Sequence, residues 1–276
     1  MIYELKKSEY HLLKPMLLSG FQFPEVYAVV NLVNSGWIVA DDPVNPTSAF
    51  VWVEGLKGFF LIGCENNISF LEDLNHFIDH ELNERLQRDV NWVEVAGMHQ
   101  GWDDVIKQSY HCRNVKQSIQ LIYKWDDHQA VEKQDKDLAP LSSEYQVIRV
   151  NPELLSSAQI KNLDFLEAEL AGFWGNIDHF MNHGIAYCVL RGNVIASICY
   201  SGFVAGNIHT IGIVTTQEHR KKGLAYQAAY SYIKELREMK LIPYWDCSLS
   251  NESSWRLAEK LGFVKDVEYH LYSFQK

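Results

Sequence analysis

One stretch constrains this chain more than any other: the run from His209 to Tyr230, where a strand pattern turns into a helix pattern across six residues. It begins as β-branched apolar sequence, His209-Thr210-Ile211-Gly212-Ile213-Val214, which reads as a strand. A polar turn from Thr215 to His219 follows, then Arg220-Lys221-Lys222-Gly223-Leu224-Ala225. Apolar residues at Ala225, Ala228, Ala229, Tyr232, Ile233 and Leu236 keep the spacing of one helical face, so Gly223 stands where strand gives way to helix. The first turn of a helix leaves amide hydrogens without partners and carries partial positive charge. Three cationic side chains gathered at that end are unfavourable unless an anion sits among them. A glycine there lets a ligand approach the main chain. The junction reads as a cradle for phosphate or pyrophosphate, with a solvated basic turn as the plain alternative. It lacks both the Gly-Lys-Ser/Thr ending of a P-loop and the Gly-x-Gly-x-x-Gly of a dinucleotide fold.

A second ordered block follows: Trp245-Asp246-Cys247, Asn251, Ser254 and Leu261-Gly262-Phe263. Arg-x-x-Gly-x-Ala between a strand and a long helix resembles the acetyl-CoA pyrophosphate loop of the Gcn5-related N-acetyltransferase (GNAT) superfamily. The second block keeps that superfamily's frame of an Asn after the fifth strand, a small residue three positions later and Leu-Gly-Phe closing a helix. The phrases Pro243 to Cys247 and Leu257 to Phe263 are similar to a bacterial branch typified by the zwittermicin A resistance acetyltransferases. The detailed likeness covers residues 184 to 273.

The resemblance implies an α/β (α+β) architecture, a mixed, mostly antiparallel sheet flanked by helices, known as the acyl-CoA N-acyltransferase fold. It also implies acetyl-CoA as co-substrate. Ile213, Val214 and Thr215 then lie along the pantetheine arm, and Arg220, Lys221, Lys222, Gly223, Leu224 and Ala225 surround the pyrophosphate. Asn251 and Ser254 complete the cofactor set, although Asn251 before Glu252 also reads as a helix N-cap. His209 and Asp246 compete as general base, since a strand histidine titrates in the useful range. Many relatives carry a tyrosine seven positions after the Asn as proton donor to the departing thiolate. Here that position is Ala258, so either Tyr269 or Tyr272 on the last strand substitutes, or no donor is needed. Cys247 as an acyl-enzyme nucleophile is a weaker alternative.

With 276 residues, two domains are expected. Residues 1 to 130 pattern as strands at 37–40, 48–54, 58–63, 92–95 and 117–125, with helices at 25–34, 67–88 and 103–109. That order matches half an acetyltransferase sheet, without any Arg-x-x-Gly-x-Ala loop. The first half therefore reads as a degenerate copy of the fold, with an unrelated cap domain as the rival. The charged stretch from Asp126 to Pro140 is the expected linker, and residues 141 to 276 are the expected acetyl-CoA-binding domain.

Net charge is −10, concentrated in residues 1–140, which hold 12 Lys+Arg against 21 Asp+Glu. That balance opposes a nucleic-acid partner and suits a cationic small-molecule amine. The five cysteines show no paired spacing, so neither a disulfide framework nor a metal site is expected. No apolar run reaches the ~20 residues of a membrane helix and no signal core opens the chain, so a cytoplasmic bacterial enzyme is expected, with homodimerisation left open. The expected activity is acetyl transfer to a small-molecule amine. Two other readings stay open: a catalytically silent acetyl-CoA-binding or regulatory protein, and a tandem-fold aminoacyl transferase.

Overall fold

Alternating and β-branched runs become strands close to where their pattern puts them. The computed structural model describes residues 1–17, 22–87, 91–127 and 141–276. In chain order, β1 (Tyr3–Glu4) is followed by a 3-10 helix (Lys7–Met16), α1 (Pro24–Val30), β2 (Gly36–Ala40), β3 (Ser48–Val53), β4 (Gly58–Gly63), α2 (Ile68–His80), α3 (Leu82–Leu86), β5 (Trp92–Gly97), α4 (Gly101–Ser109) and β6 (Lys116–Trp125). The second half runs β7 (Tyr145–Arg149), α5 (Pro152–Leu155), α6 (Leu163–Trp174), α7 (Ile177–His183), β8 (Ala186–Arg191), β9 (Val194–Ala205), β10 (Ile208–Thr215), α8 (Leu224–Glu238), β11 (Ile242–Ser248), α9 (Glu252–Leu261) and β12 (Phe263–Gln275). The helix expected over 67–88 is two helices broken at Glu81, and Leu82 continues the buried stripe of Phe70, Leu74 and Ile78 beyond the break.

The chain forms two compact units, Met1–Gln120 with Glu268–Lys276, and Leu121–Val267. Most of the expected linker, residues 128–140, lies outside the described residues. In the first unit the strand order is β1-β2-β3-β4-β5-β12, antiparallel except for β4 with β5. The last stretch of the chain joins this sheet, Leu271 to Gln275 pairing with Ala96 to Trp92. Its core is aromatic, with Phe50 and Phe59 stacked at 4.2 Å and Trp37 edge-on to Phe77 at 5.9 Å.

The second unit repeats the succession as β7-β8-β9-β10-β11, again antiparallel except for β10 with β11, and the second half of β6 follows β11. A parallel pair needs a crossover, which α2 and α3 supply in one unit and α8 in the other. Each half thus builds the mixed, mostly antiparallel sheet with flanking helices of the expected fold. β9 is central to the second sheet and almost wholly buried, because α6 and α8 both pack on it. The buried face of α8 consists of Leu224, Tyr226, Ala228, Ala229, Tyr232, Ile233 and Leu236; Ala225 is only half-buried. Glu235 ties this helix to the sheet, bonded to Arg149 at 2.9 Å and Tyr187 at 2.7 Å. Among the described residues no helix is long and apolar enough to cross a membrane.

Among the described residues the first unit has no counterpart of the cationic loop. Only Cys64 to Asn67 separate β4 from α2, and the Asn67 side chain accepts the Phe70 N–H, occupying part of the helix's first turn itself.

Candidate active site

β10 and β11 run together briefly and then part. Their parallel register covers Ile208 with Ile242, His209 with Pro243 and Thr210 with Tyr244, whereas β10 stays paired to β9 as far as Thr215 with Ser197. Thr216 N–H donates to Ala196 O, so in the alternating antiparallel ladder residues 212 and 214 also turn their main-chain groups toward β9. Ile211, Ile213 and Thr215 therefore present theirs to the opposite edge, which carries no strand partner among the described residues. Burial follows the same break: Ile208 to Thr210 are buried and Ile211 to Thr215 half-exposed. An open strand edge of this kind pairs readily with an extended, amide-bearing ligand.

That edge leads into the loop. A 3-10 turn, Gln217–His219, precedes Arg220 in extended backbone, Lys221 at φ 60° and Gly223 at φ 76°, where α8 starts. No side chain caps this helix, and the amides of Lys221 to Ala225 meet no acceptor among the described residues. A Cβ added at Gly223 would touch no protein atom within 4 Å, so the space beside it is open. The three cationic side chains are exposed, and Arg220 Nε donates to Thr215 O at 3.3 Å. Unpaired amides at a positive helix end, an open glycine and cationic side chains together fit a diphosphate.

Beneath the cations lies a device that sequence reasoning missed. His219 is buried, and its Nδ1 is 3.0 Å from the hydroxyl of Tyr145 at the start of β7. Lys222 Nζ lies 3.3 Å from the same oxygen. Lysine can only donate, so the tyrosine oxygen accepts from Lys222 while its proton can go to the imidazole. No local motif marks Tyr145, 74 residues away in sequence.

The remaining candidates are spread more widely. Asn251 accepts the Ser254 N–H at 3.3 Å and so caps α9, and Ser254 Oγ accepts from Trp245 Nε1 at 3.1 Å, tying that helix to β11. Asp246 is half-buried on the part of β11 beyond the shared register and already has an interaction partner. Cys247 is buried and its thiol is pushed up, chiefly by burial, which disfavours a nucleophilic thiolate. His209 is only 4% exposed; Nδ1 contacts Ser201 Oγ at 2.9 Å, and that oxygen also meets Tyr232 of α8 at 3.0 Å. Burial pushes its imidazole down to about 4. Tyr269 packs edge-on against Phe23 at 4.9 Å and Tyr272 is fully buried in the aromatic core, both within the first unit, while the loop belongs to the second.

Comparison with known proteins agrees with this architecture. The sequence model of the family described as GNAT acetyltransferase matches residues 17–272. The uncharacterized N-acetyltransferase YdfB of Bacillus subtilis (strain 168) is 28% identical over 284 residues, covering 98% of this chain and 97% of that protein. Among solved structures, a GCN5-related N-acetyltransferase-like protein from Streptococcus suis 89/1591 superposes with a TM-score of 0.68 at 20% identity, over 98% of this chain and 99% of that one. A tandem GNAT protein from the clavulanic acid biosynthesis pathway does so with a TM-score of 0.61 at 9% identity, over 100% and 98%. The two structural likenesses speak to the fold, which in the tandem protein is likewise built twice. With a family match running through both units, the chain belongs to the GNAT acetyltransferase family.

Proposed function

We propose that this acetyltransferase moves the acetyl group of acetyl-CoA to an amine of a small molecule. The observation that carries the reading is continuity: the edge of β10 that has no strand partner among the described residues passes, within a few residues, into a helix start whose amides meet no acceptor among them. The first suits an amide-bearing arm and the second a diphosphate, in the order in which acetyl-CoA presents them.

Within this reading the amides of Lys221 to Ala225 hold the diphosphate, with Arg220, Lys221 and Lys222 adding charge. Main-chain groups of Ile211, Ile213 and Thr215 pair with the arm, and Val214, between them on the strand, lines it. Asn251 and Ser254 fix α9 to β11 on the other side of the splay. When bound, acetyl-CoA supplies an acyl group activated as a thioester. The protein's share is to hold that acyl carbon against the amine, where positioning contributes most of the acceleration. His209 belongs to the packing of β9, β10 and α8, because its buried imidazole contacts Ser201 rather than the open edge. With Ala258 buried in the position of the family's tyrosine, the thiolate leaves without a protein donor.

Release of CoA thiol on incubation with acetyl-CoA and a panel of primary amines tests the reading. Amine-dependent release supports it. Acetyl-CoA binding without release under any amine would point instead to a silent binding protein. Transfer from an aminoacyl-tRNA is disfavoured by the net charge of −10.

A further inference from the structure

Two glycines leave the sheet bare on the face that α6 covers. A Cβ on residue 212 of β10 would stand 2.5 Å from the Tyr200 ring, and one on residue 202 of β9 would meet Thr210 Oγ1 at 3.1 Å and Phe173 at 3.4 Å. Gly202 lies in the bulge where β9 and β10 shift register between His209 and Ile211. Aromatic rings take the vacated space: Phe173 of α6 meets Tyr200 edge-to-face at 5.6 Å and Phe203 at 5.4 Å. Tyr200 donates its hydroxyl to Glu169 Oε2 of α6 at 3.1 Å. Burial and that carboxylate raise the phenol far above its ordinary range, so it stays a donor. Glu169 itself is half-exposed, and its Oε1 meets no partner among the described residues. The cluster is built around Gly212, whose neighbours Ile211 and Ile213 present the open edge.

We propose that Glu169, aimed by Tyr200, receives the acceptor's amine, with the half-exposed Phe173 ring forming an apolar wall, so that preferred acceptors are small cationic amines with an apolar body. The assignment rests on the acetyl-CoA reading above. A carboxylate with one oxygen fixed by a tyrosine keeps the other for an N–H donor, and aromatic rings beside it favour a cation-bearing guest. In the transfer, the bound ammonium first gives one proton through Glu169 to solvent, and the lone pair of the resulting neutral amine forms the C–N bond to the acetyl carbon. The C–S bond breaks with its electrons leaving on the CoA sulfur, and the nitrogen's second proton passes to Glu169 and from it to solvent.

The experiment measures thiol release from acetyl-CoA with phenethylamine, n-butylamine and β-alanine, alongside calorimetric titration with acetyl-CoA. Wild type should prefer phenethylamine and discriminate against β-alanine, whose carboxylate Glu169 repels. Glu169→Gln, which still accepts from Tyr200, should lower kcat/KM for both simple amines by about 10²-fold, leave acetyl-CoA affinity unchanged and weaken the discrimination against β-alanine. Tyr200→Phe keeps the ring and the fold and should raise the amine KM more than it lowers kcat. Wild-type kcat/KM and acceptor ranking in Glu169→Gln would overturn the subsite and leave the acetyl-CoA reading standing, as would a loss found only in Asp246→Asn. Acetyl-CoA binding with no acceptor in the panel turned over would overturn the stated substrate class. Failure of wild type to bind acetyl-CoA would overturn that reading and the subsite with it.

Discussion

The Tyr145 hydroxyl and His219 Nδ1 share a 3.0 Å hydrogen bond although 74 residues separate them, and Lys222 shares the same oxygen at 3.3 Å. The bond fastens the cationic loop to β7, so the loop's shape is held from inside the protein. Tyr145→Phe retains the ring contact at 5.7 Å and deletes both hydrogen bonds. It should lower unfolding free energy by about 1 kcal/mol. Acetyl-CoA affinity should fall severalfold while kcat at saturation stays at the wild-type level, a split that calorimetry and saturation kinetics would read directly.

Stability should depend on pH through His209. Burial lowers its imidazole from the ordinary 6.5 to about 4, so between those values the unfolded chain takes a proton that the folded one refuses. The contribution is fully present above pH 6.5 and is lost as pH falls toward 4, to a total of up to about 3 kcal/mol. Urea unfolding of wild type and His209→Asn across this window isolates it from the other histidines, which both proteins share. The difference between the two curves should shrink on acidification. A constant offset would mean that His209 is not held neutral by the fold. A kinetic limb in the imidazole range, if wild type shows one, should survive in the variant.

Asn251 separates two roles that its position leaves together. Asn251→Ala should cost about 1 kcal/mol of stability through the lost cap of α9. Asn251→Asp restores a capping oxygen and should restore the stability. If the side-chain amide also serves the pantetheine arm, only the stability returns and acetyl-CoA affinity stays low. Recovery of both would make Asn251 a cap alone.

The cationic loop was legible because everything that defines it is contiguous: a β-branched strand, a basic turn, Gly223 and an apolar helical stripe fall within one short window. The hairpin of β8 and β9 and the paired architecture of the two halves were legible for the same reason. What escaped depends on register. The parting of β10 from β11 was accessible only through the family resemblance, because it is set by which residues pair and no period in either strand encodes it. Tyr145 and Glu169 read as ordinary strand and helix residues, since their partners His219 and Tyr200 are distant in sequence. Gly212, an isolated glycine inside a β-branched run, was the one local sign of a close approach on that face. The pairing of the chain's last residues with β5 was likewise invisible, because it joins segments that periodicity treats separately. For His209 the sequence gives the strand but not the face, which in the structure is turned to Ser201, itself bonded to Tyr232.

The central claim, that the Gly223 loop holds the diphosphate of CoA, is tested most directly by calorimetric titration of wild type and Gly223→Ala with CoA. The added methyl meets no protein atom, so its cost inside the protein is confined to holding φ 76°, roughly 1–2 kcal/mol of stability. It enters the open space that the proposed diphosphate would fill. Wild type should show one saturable site and the variant an affinity at least about tenfold weaker, with the variant still folded by circular dichroism. Equal affinity for CoA in the two proteins would contradict the claim.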